Sequence, residues 1–509
     1  LLIYYCIVMK NNIIIPTKVP EGEVLMVHPP YVHYAEQFVR DRNPFLPVGL
    51  LYAGQLLEAS GKTKVKYHDS QLHDLEARTD LHSFNAIGIN AMGTQNIAPA
   101  YTTFTSLLQR GVDPNKVYLG GQGVEGLTLD EFQRVFPGAN LVSREALGNT
   151  RDYWNTSIRD QLEKFSPEDM RTYLTHELTL LFSQGCKYGC TFCGAQVNRQ
   201  ETFYNTTDNL RAILEKSQEL GIPALSAYVT SLDFFQQSLK GGDLIKLKKQ
   251  LEDIIALEKE FGIPLRLRAL TRADSYMEAT RDPEMISLAK QAGFYQFGFG
   301  ADGAANTKLL KAMHKGTADL ESRLLQAFPH TEQNGFTPEI LYVFGIEADT
   351  SETLTETGNL CIGLLNHFPT SIYRGFPAKD NIPGNAHWSR ESWKRSEAYQ
   401  KLLSNPQLFA NLGFEALANN ISHPNEEKRK QVNAKAIEMS HAAHRLGRVQ
   451  SFLTIPFMDT DGRELMDEQS FETFKEIVSN YAPHIAPILT RENLPEHRAE
   501  LNRLIPKDK

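Results

Sequence analysis

The sequence predicts an α/β protein in three parts: an N-terminal doubly wound, Rossmann-like domain, a partial (β/α)6 barrel of the TIM type, and a mainly helical C-terminal domain. Three observations carry this prediction. Between residues 23 and 148, short apolar strands alternate with amphipathic helices, the pattern of a parallel sheet covered on both faces. From Leu178 the alternation resumes and repeats about six times, enough to curve a sheet into an open barrel but not to close an eight-stranded one. Beyond residue 388 the strand signals stop and the apolar spacing is helical.

A chain of 509 residues with 41% hydrophobic and 22% charged residues has an ordinary globular composition and should form two or three domains. Its formal charge of -8 argues against nucleic acid as a main partner, because binding phosphates needs a basic surface. Only 5 cysteines, in no disulfide-like framework, suggest a reducing compartment, and the expected location is cytoplasmic. The opening LLIYYCIV is apolar but far short of the about 20 residues that span a bilayer, and it lacks the features of a secretory signal. Residues 1–22 are therefore read as an N-terminal extension, with Met9 the expected natural start and no membrane partner.

In the first domain, residues 23–148, EVLMVHPP is a strand entering a Pro-Pro loop and PVGLLYAGQLLEASG a helix closed by Gly61. KVKYHD and FNAIGINAMG supply two more strands, and IAPAYTTFTSLLQRG a helix. KVYLGGQG, LDEFQRVFPG and ANLVS complete the set as strand, helix and strand. Ligands of such sheets bind at the carboxyl ends of the strands, which places His28–Tyr31, Asn90–Asn96 and Gly120–Glu125 at the binding edge. Gly121, Gly123 and Gly126 form G-x-G-x-x-G, but on a late strand rather than in the first βα turn, so a dinucleotide site is not expected from them. The glycines do allow backbone to come very close to a flat or bulky ligand.

Residues 149–177 are polar, broken by Pro167, and read as a linker with a short helix. The barrel domain, 178–388, begins with LTLLFS and continues through strands ALSAYVTS, PLRLRALT, YQFGFGAD, TPEILYVFGI and TSIYRGFP, each followed or preceded by a helical stretch. Catalytic groups belong where these strands end.

The first strand runs into LTLLFSQGCKYGCTFCGAQVN, which sets Cys186, Cys190 and Cys193 in C-x3-C-x2-C spacing. Three thiolates that close together on a loop can bind three irons of one [4Fe–4S] cube and leave the fourth iron open to a small chelating molecule. A zinc site would need a fourth Cys or His at ligand spacing, and His176 and Cys361 fit no such pattern. Three of the 5 cysteines within eight positions also argue against scattered core residues.

The cysteine motif, with aromatic Phe192 before the last cysteine, resembles the signature of the radical S-adenosylmethionine (SAM) enzymes. The resemblance implies that the open iron chelates SAM and that reductive cleavage gives a 5′-deoxyadenosyl radical. The first domain, with its PVGLLYAGQLLE helix and VYLGGQG strand end, resembles the cobalamin-binding domain of one subfamily. That resemblance implies corrinoid contacts at Asn90, Met92, Gly93, Thr94, Gln95, Gly120, Gly121, Gln122 and Gly123. There is no D-x-H-x-x-G motif to supply a cobalt-binding histidine, an absence common in the subfamily, and SREALG stands where a Gly-Glu-Gly-Glu stretch is usual.

By the same resemblance Phe192 packs by the adenine of SAM, while Asp233, Arg272 and Asp302 are candidate SAM contacts. Asp233 matches an acidic residue followed by Phe, Arg272 a recurring arginine at the third strand, and Asp302 a position where glutamate is usual. An arginine suits a carboxylate, whereas an aspartate at a strand end also serves as a helix N-cap. FGIEAD replaces a more usual GLPGE pattern, and NIPGNAHW resembles the Pro-Gly turn that ends the barrel.

The C-terminal domain, 389–509, reads as a helical cap over the open barrel that influences substrate choice; its Glu438, His441 and His444 lack metalloprotease spacing and read as an ordinary helix face. The resemblance implies a cobalamin-dependent methyltransferase acting on an unactivated carbon of a small-molecule or natural-product precursor, with a reductase or a flavodoxin- or ferredoxin-type electron donor as partner. The alternatives are a non-methylating rearrangement or cyclisation, SAM chemistry with a vestigial cobalamin domain, and a cofactor-based sensor. Methylthio transfer is disfavoured, because the first domain has no cysteines for a second cluster.

Overall fold

Two parallel sheets organise the chain. The computed structural model describes residues 20–30, 44, 46–59, 61–91, 96–125, 127–142, 155–190, 193, 201–316, 319–346, 348–377, 400, 403–406, 426–448, 468–494, 496–497 and 500–501. Two compact units result: Leu1–Thr172 with Tyr399–Gly413, and Tyr173–Ala398 with Phe414–Lys509.

In the first unit, strands β1 (Gly22–His28), β2 (Thr63–Asp69), β3 (Ala86–Asn90), β4 (Val117–Gly120) and β5 (Asn140–Val142) form a parallel sheet in the order β2-β1-β3-β4-β5. The order reverses direction beside β1, as doubly wound sheets do. Central strand β1 is apolar because it is buried between its neighbours, whereas edge strand β2 leaves Lys64 and Lys66 exposed. Val24, Met26 and Val65 pack with Leu50, Ala53 and Leu57 of helix Val48–Ala59, and each large side chain so buried stabilises the unit by about 1.5–3 kcal/mol.

Part of the segment expected to be a linker is built into this unit. Gln161 is fully buried, its amide donates to Gln55 Oε1 and Glu58 Oε2 at 2.8 Å each, and its carbonyl accepts from the Tyr67 hydroxyl at 2.6 Å. Phe165 stacks on Tyr67 with ring centroids 5.1 Å apart. Composition hid this, because the anchoring groups are polar.

His68, on β2, is buried with its Nε2 unpartnered, and its ring lies 6.4 Å from that of His73, which pairs with Asp169. Burial, aided by the positive charges of Arg78 and His73 against Asp74 and Asp169, pushes the His68 pKa down from 6.5 to about 4. The unfolded chain therefore takes up this proton first as pH falls through that window, and stability falls with it. We expect His68→Leu to reduce the acid loss of stability by up to about 3 kcal/mol. Denaturant melts of both proteins across this pH range check it; parallel curves refute it.

The second unit is built on six parallel strands: β6 (Glu177–Leu181), β9 (Leu225–Thr230), β10 (Leu265–Thr271), β11 (Phe294–Gly300), β12 (Thr337–Phe344) and β13 (Ile372–Pro377). They pair in the order of the sequence from β6 to β13, an open six-stranded arrangement of the TIM type. The helices between them cover one face, where Leu225, Ala227 and Val229 of β9 and Pro338, Ile340 and Tyr342 of β12 are buried. The alternate residues face inward. A short antiparallel ribbon, β7 (Ser183–Gln184) with β8 (Thr202–Phe203), follows β6.

The C-terminal helices belong to the barrel unit rather than standing apart. Helix Glu426–Arg445 is fixed at one end by Lys428, whose ammonium donates to the carbonyls of Ile346 and Asp349 at 2.6 and 2.9 Å. At the other end the carbonyl of Arg448 accepts from Tyr373 N of β13 at 3.0 Å. Ile437 joins Phe471, Phe474 and Ile477 in a core of its own. Among the described residues, no helix is long and apolar enough to cross a membrane.

Candidate functional site

The antiparallel ribbon explains how the cysteine loop is held. Ser183 pairs with Phe203 and Gln184 with Thr202, so the chain leaves and re-enters the ribbon at one base, directly beyond the carboxyl end of β6, with the described residues 185–190, 193 and 201 between the two strands. Cys186, Cys190 and Cys193 all lie there, each half-buried, and Cys193 N donates to the carbonyl of Cys190 at 3.2 Å. Phe192 falls outside the described residues.

The loop after β9 acts as a template for the first cysteine. Gln236 is buried; its amide nitrogen donates to the carbonyl of Gly185 at 2.9 Å, and its amide oxygen accepts from Lys187 N at 3.4 Å. One side chain thus grips the peptide groups on both sides of Cys186. Asp233 holds the same loop to the third strand. Its Oδ1 accepts from Thr271 Oγ1 at 2.8 Å and Arg272 N at 3.0 Å, and its Oδ2 from Ser275 Oγ at 2.5 Å. Burial raises the Asp233 pKa against the lowering effect of these bonds. Asp233 therefore ties β9 to β10, and both its oxygens are committed to protein donors.

Arg272 begins helix Ala273–Ala279 at the end of β10. Its Nε and Nη2 donate to the two oxygens of Asp274 at 2.9 and 3.1 Å, and its guanidinium lies 3.7 Å from the ring centroid of Tyr188 on the cysteine loop. The Tyr188 hydroxyl donates to Asp274 Oδ2 at 2.9 Å. A cation over an aromatic face is favoured electrostatically, so this triangle fixes the loop between Cys186 and Cys190.

Asp302, at the end of β11, is equally engaged. Its Oδ2 meets the Lys315 ammonium at 2.7 Å and its Oδ1 accepts from Val343 N of β12 at 2.5 Å. Lys315 also donates to the carbonyls of Gly300 at 2.9 Å and Asp302 at 3.1 Å, and both residues are buried. The next residue, Gly316, has a φ of +88°, and a Cβ there would come within 3.1 Å of Tyr188. Only glycine accepts that backbone without strain.

Four strand ends thus converge on the loop. Burial pushes the Cys186 thiol up to about 12 and raises that of Cys190, against the lowering effect of the Lys315 and Arg272 charges on Cys190. Metal binding here must therefore displace thiol protons. Among the described residues, no three His, Cys, Asp or Glu side chains gather around a point that would hold a single ion. A cube asks for something else, one thiolate on each of three different irons. Three half-exposed thiols on one loop, backed by two buried cations, fit an anionic cluster.

At the first sheet, Asn90 and Gly120 are register partners at the carboxyl ends of β3 and β4, and both are half-exposed with Gly121. Gly121 has a φ of +109°, and a Cβ there would meet the Ala91 carbonyl oxygen at 2.4 Å; Gly123 N donates to the same oxygen at 2.9 Å. The glycines let the β4 turn cross close to the β3 end, so that among the described residues Gly120 and Gly121 add no side chain to this edge, which suits the close approach of a broad ring such as a corrin. Met92, Gly93, Thr94 and Gln95 lie outside the described residues, as does the side chain of Gln122. His28 and His68, near the same edge, are buried.

Sequence reasoning missed Tyr188, Gln236, Asp274 and Lys315. It also missed Glu201, at the base of the cysteine loop, whose buried carboxyl is pushed up to about 7 by desolvation.

No protein-family model matches the sequence, and no curated protein matches it. Solved structures do. The cobalamin-dependent S-adenosylmethionine radical enzyme OxsB superposes with a TM-score of 0.51 at 16% identity, over 95% of this chain and 72% of that one. The radical S-adenosylmethionine methyltransferase TsrM from Kitasatospora setae, solved with tryptophan substrate and a SAM analogue, matches with a TM-score of 0.48 at 16% identity, over 74% of this chain and 76% of that one. The protein thus has the fold of a cobalamin-dependent S-adenosylmethionine radical enzyme.

Proposed function

We propose that the protein is a cobalamin-dependent radical SAM enzyme, and that it transfers a methyl group to an unactivated carbon of a small molecule. One observation carries the reading: the three cysteines lie on a loop at the carboxyl end of the first strand of an open six-stranded barrel, in a chain that also carries a five-stranded parallel sheet with a glycine-lined edge. When bound, the cluster would supply an electron for cleaving SAM, and the corrinoid the methyl group to be transferred.

The chain's own work is to hold and to exclude. Cys186, Cys190 and Cys193 hold the cluster, and Gln236 fixes the peptide groups around Cys186. Arg272, braced by Asp274 and Tyr188, and Lys315, braced by Asp302, set positive charge beside the site of an anionic cluster and a carboxylate-bearing cosubstrate. Asp233 and Asp302 serve this reading as positioning residues. Asn90, Gly120, Gly121 and Gly123 would approach the corrinoid through backbone and one amide. A reductase, or a flavodoxin- or ferredoxin-type protein, would deliver electrons.

The test is the corrinoid and iron content of protein purified without oxygen and supplied with iron, sulfide and cobalamin, followed by product mass. We expect about one corrinoid and one cluster per chain and a product heavier by a methyl group. A bound corrinoid with a product of unchanged mass would establish rearrangement instead. No retained corrinoid would leave SAM chemistry alone.

A further inference from the structure

A TIM-type barrel ordinarily fills its interior with branched apolar side chains. This one does not. The inward faces of its six strands carry Glu177, Tyr228, Arg268, Gln296, Glu339 and Arg374, one from each strand. They form a belt of two bonded groups side by side on the wall, Glu177 with Arg268 and Tyr228, and Gln296 with Glu339 and Arg374. Arg268 grips Glu177 through two bonds of 2.5 and 2.6 Å and lies 4.6 Å from the Tyr228 ring centroid. Gln296 donates to Glu339 Oε2 at 2.9 Å, and Arg374 Nε lies 2.7 Å from Glu339 Oε1.

The last pair is incomplete. Although close, Glu339 Oε1 and Arg374 Nε are not aligned for a hydrogen bond, and each is buried without one. Glu339 is fully buried. A buried ion pair seldom adds net stability over an apolar filling, since desolvation offsets the attraction, so stability does not explain the belt. Nor is the space around it closed. Inward-facing Thr179, Ser226, Thr230, Leu341 and Val343 stay partly exposed, while their outward neighbours Leu180, Ala227, Val229, Ile340 and Tyr342 are buried.

The charges have a pattern. In strand order the buried and half-buried part of the wall reads Glu177, Arg268, Glu339, Arg374, with signs alternating, while Arg266 lies two residues before Arg268 on the same face and is exposed. A ligand of one sign, such as a phosphate or a polyamine, would meet repulsion at every second position. A ligand bearing both signs would meet complements. Glu339 and Arg374 stand on adjacent strands two residues out of register, with Oε1 and Nε 2.7 Å apart, close enough to serve an ammonium and a carboxylate on the same carbon.

We propose that this belt, and Glu339 with Arg374 above all, binds the substrate, and that the substrate is a zwitterion of the α-amino acid class. Glu339 accepts from the ammonium, Arg374 donates to the carboxylate, and the side chain of the ligand extends toward the strand ends. The inference rests on reading the barrel as the reaction chamber, but its test does not depend on turnover.

Full-length protein with its iron–sulfur cluster restored is titrated calorimetrically with the proteinogenic amino acids, and with the N-acetyl and amide derivatives that each remove one charge. We expect saturable binding of at least one free amino acid. Its two derivatives, and the Glu339→Gln variant, should bind it at least about tenfold more weakly, the loss of one buried charge-assisted hydrogen bond. Arg374→Lys, which keeps the charge but not the fork, should weaken binding to a smaller degree and serves if Glu339→Gln does not fold. SAM affinity should not change in either variant. Absence of binding by every free amino acid, or binding that Glu339→Gln leaves unaltered, overturns the proposal. Failure to form a cluster or cleave SAM would instead overturn the reading of the barrel, and the amino acid titration of that same protein would still decide the belt's role.

Discussion

Cys190→Ala should purify without its cluster and lose reductive cleavage of SAM by at least about 100-fold, beyond the cost of removing an outer-shell partner of a metal ligand. Cys190 is the middle of the three thiols; the carbonyl of its own residue accepts from Cys193 N at 3.2 Å. Its side chain is half-buried and lies within the field of Lys315 and Arg272. Alanine keeps the backbone turn and removes only the sulfur, so the fold of the loop should survive. Iron and sulfide analysis, with 5′-deoxyadenosine formation under reductant, checks the outcome. Full iron loading with undiminished cleavage would remove the central reading of the site.

The second large effect is expected at Lys315. Its ammonium holds three oxygens, two carbonyls and Asp302 Oδ2, and both Lys315 and Asp302 are buried. Lys315→Met leaves the Asp302 carboxylate buried without its cation, which should destabilise the barrel unit by about 3–5 kcal/mol. The double variant Asp302→Leu with Lys315→Met should recover part of that loss, because an apolar pair replaces a buried ionic one but leaves Val343 N without its acceptor. Denaturant unfolding followed by two probes is the measurement, since two units need not unfold together. Equal stability of the single variant and the parent would show that the pair is not the clasp its geometry describes. Iron retention by the double variant then reports what the two buried charges do for the cluster loop once part of the stability is restored.

Much of the architecture was legible because periodicity reports burial. Alternating strand and helix patterns located both parallel sheets, and the spacing of three cysteines located the loop. What remained hidden depends on side chains that meet only in three dimensions. Asp274 looks in sequence like an ordinary acidic residue in the first turn of a helix, yet it braces Arg272 and Tyr188 together. Gln236 follows Asp233 and two phenylalanines, nothing in the sequence marks it out, and its hold on Gly185 spans 51 positions. Asp233 and Asp302 were legible as residues placed at strand ends, but their bonds to protein donors were not, because a strand end suits a cap, a clasp and a ligand alike. A signal for the barrel belt was present: Glu339 interrupts the apolar strand TPEILYVF at an inward position, where a carboxylate needs a reason.

The sequential strand order also bears on how the protein is made. Each strand from β10 to β13 pairs with the one synthesised just before it, and β9 pairs with β6 across the cysteine loop and its ribbon, so the wall can grow in the direction of translation without waiting for a distant partner. The cysteine loop follows the first strand, and β13 comes last. A nascent chain stalled after β11 would already carry the three thiols, Gln236, Arg272 and Asp302, while the Lys315 anchor and the last two strands were still to come. The residues that shape the cysteine loop are thus nearly all in place before the barrel unit is complete.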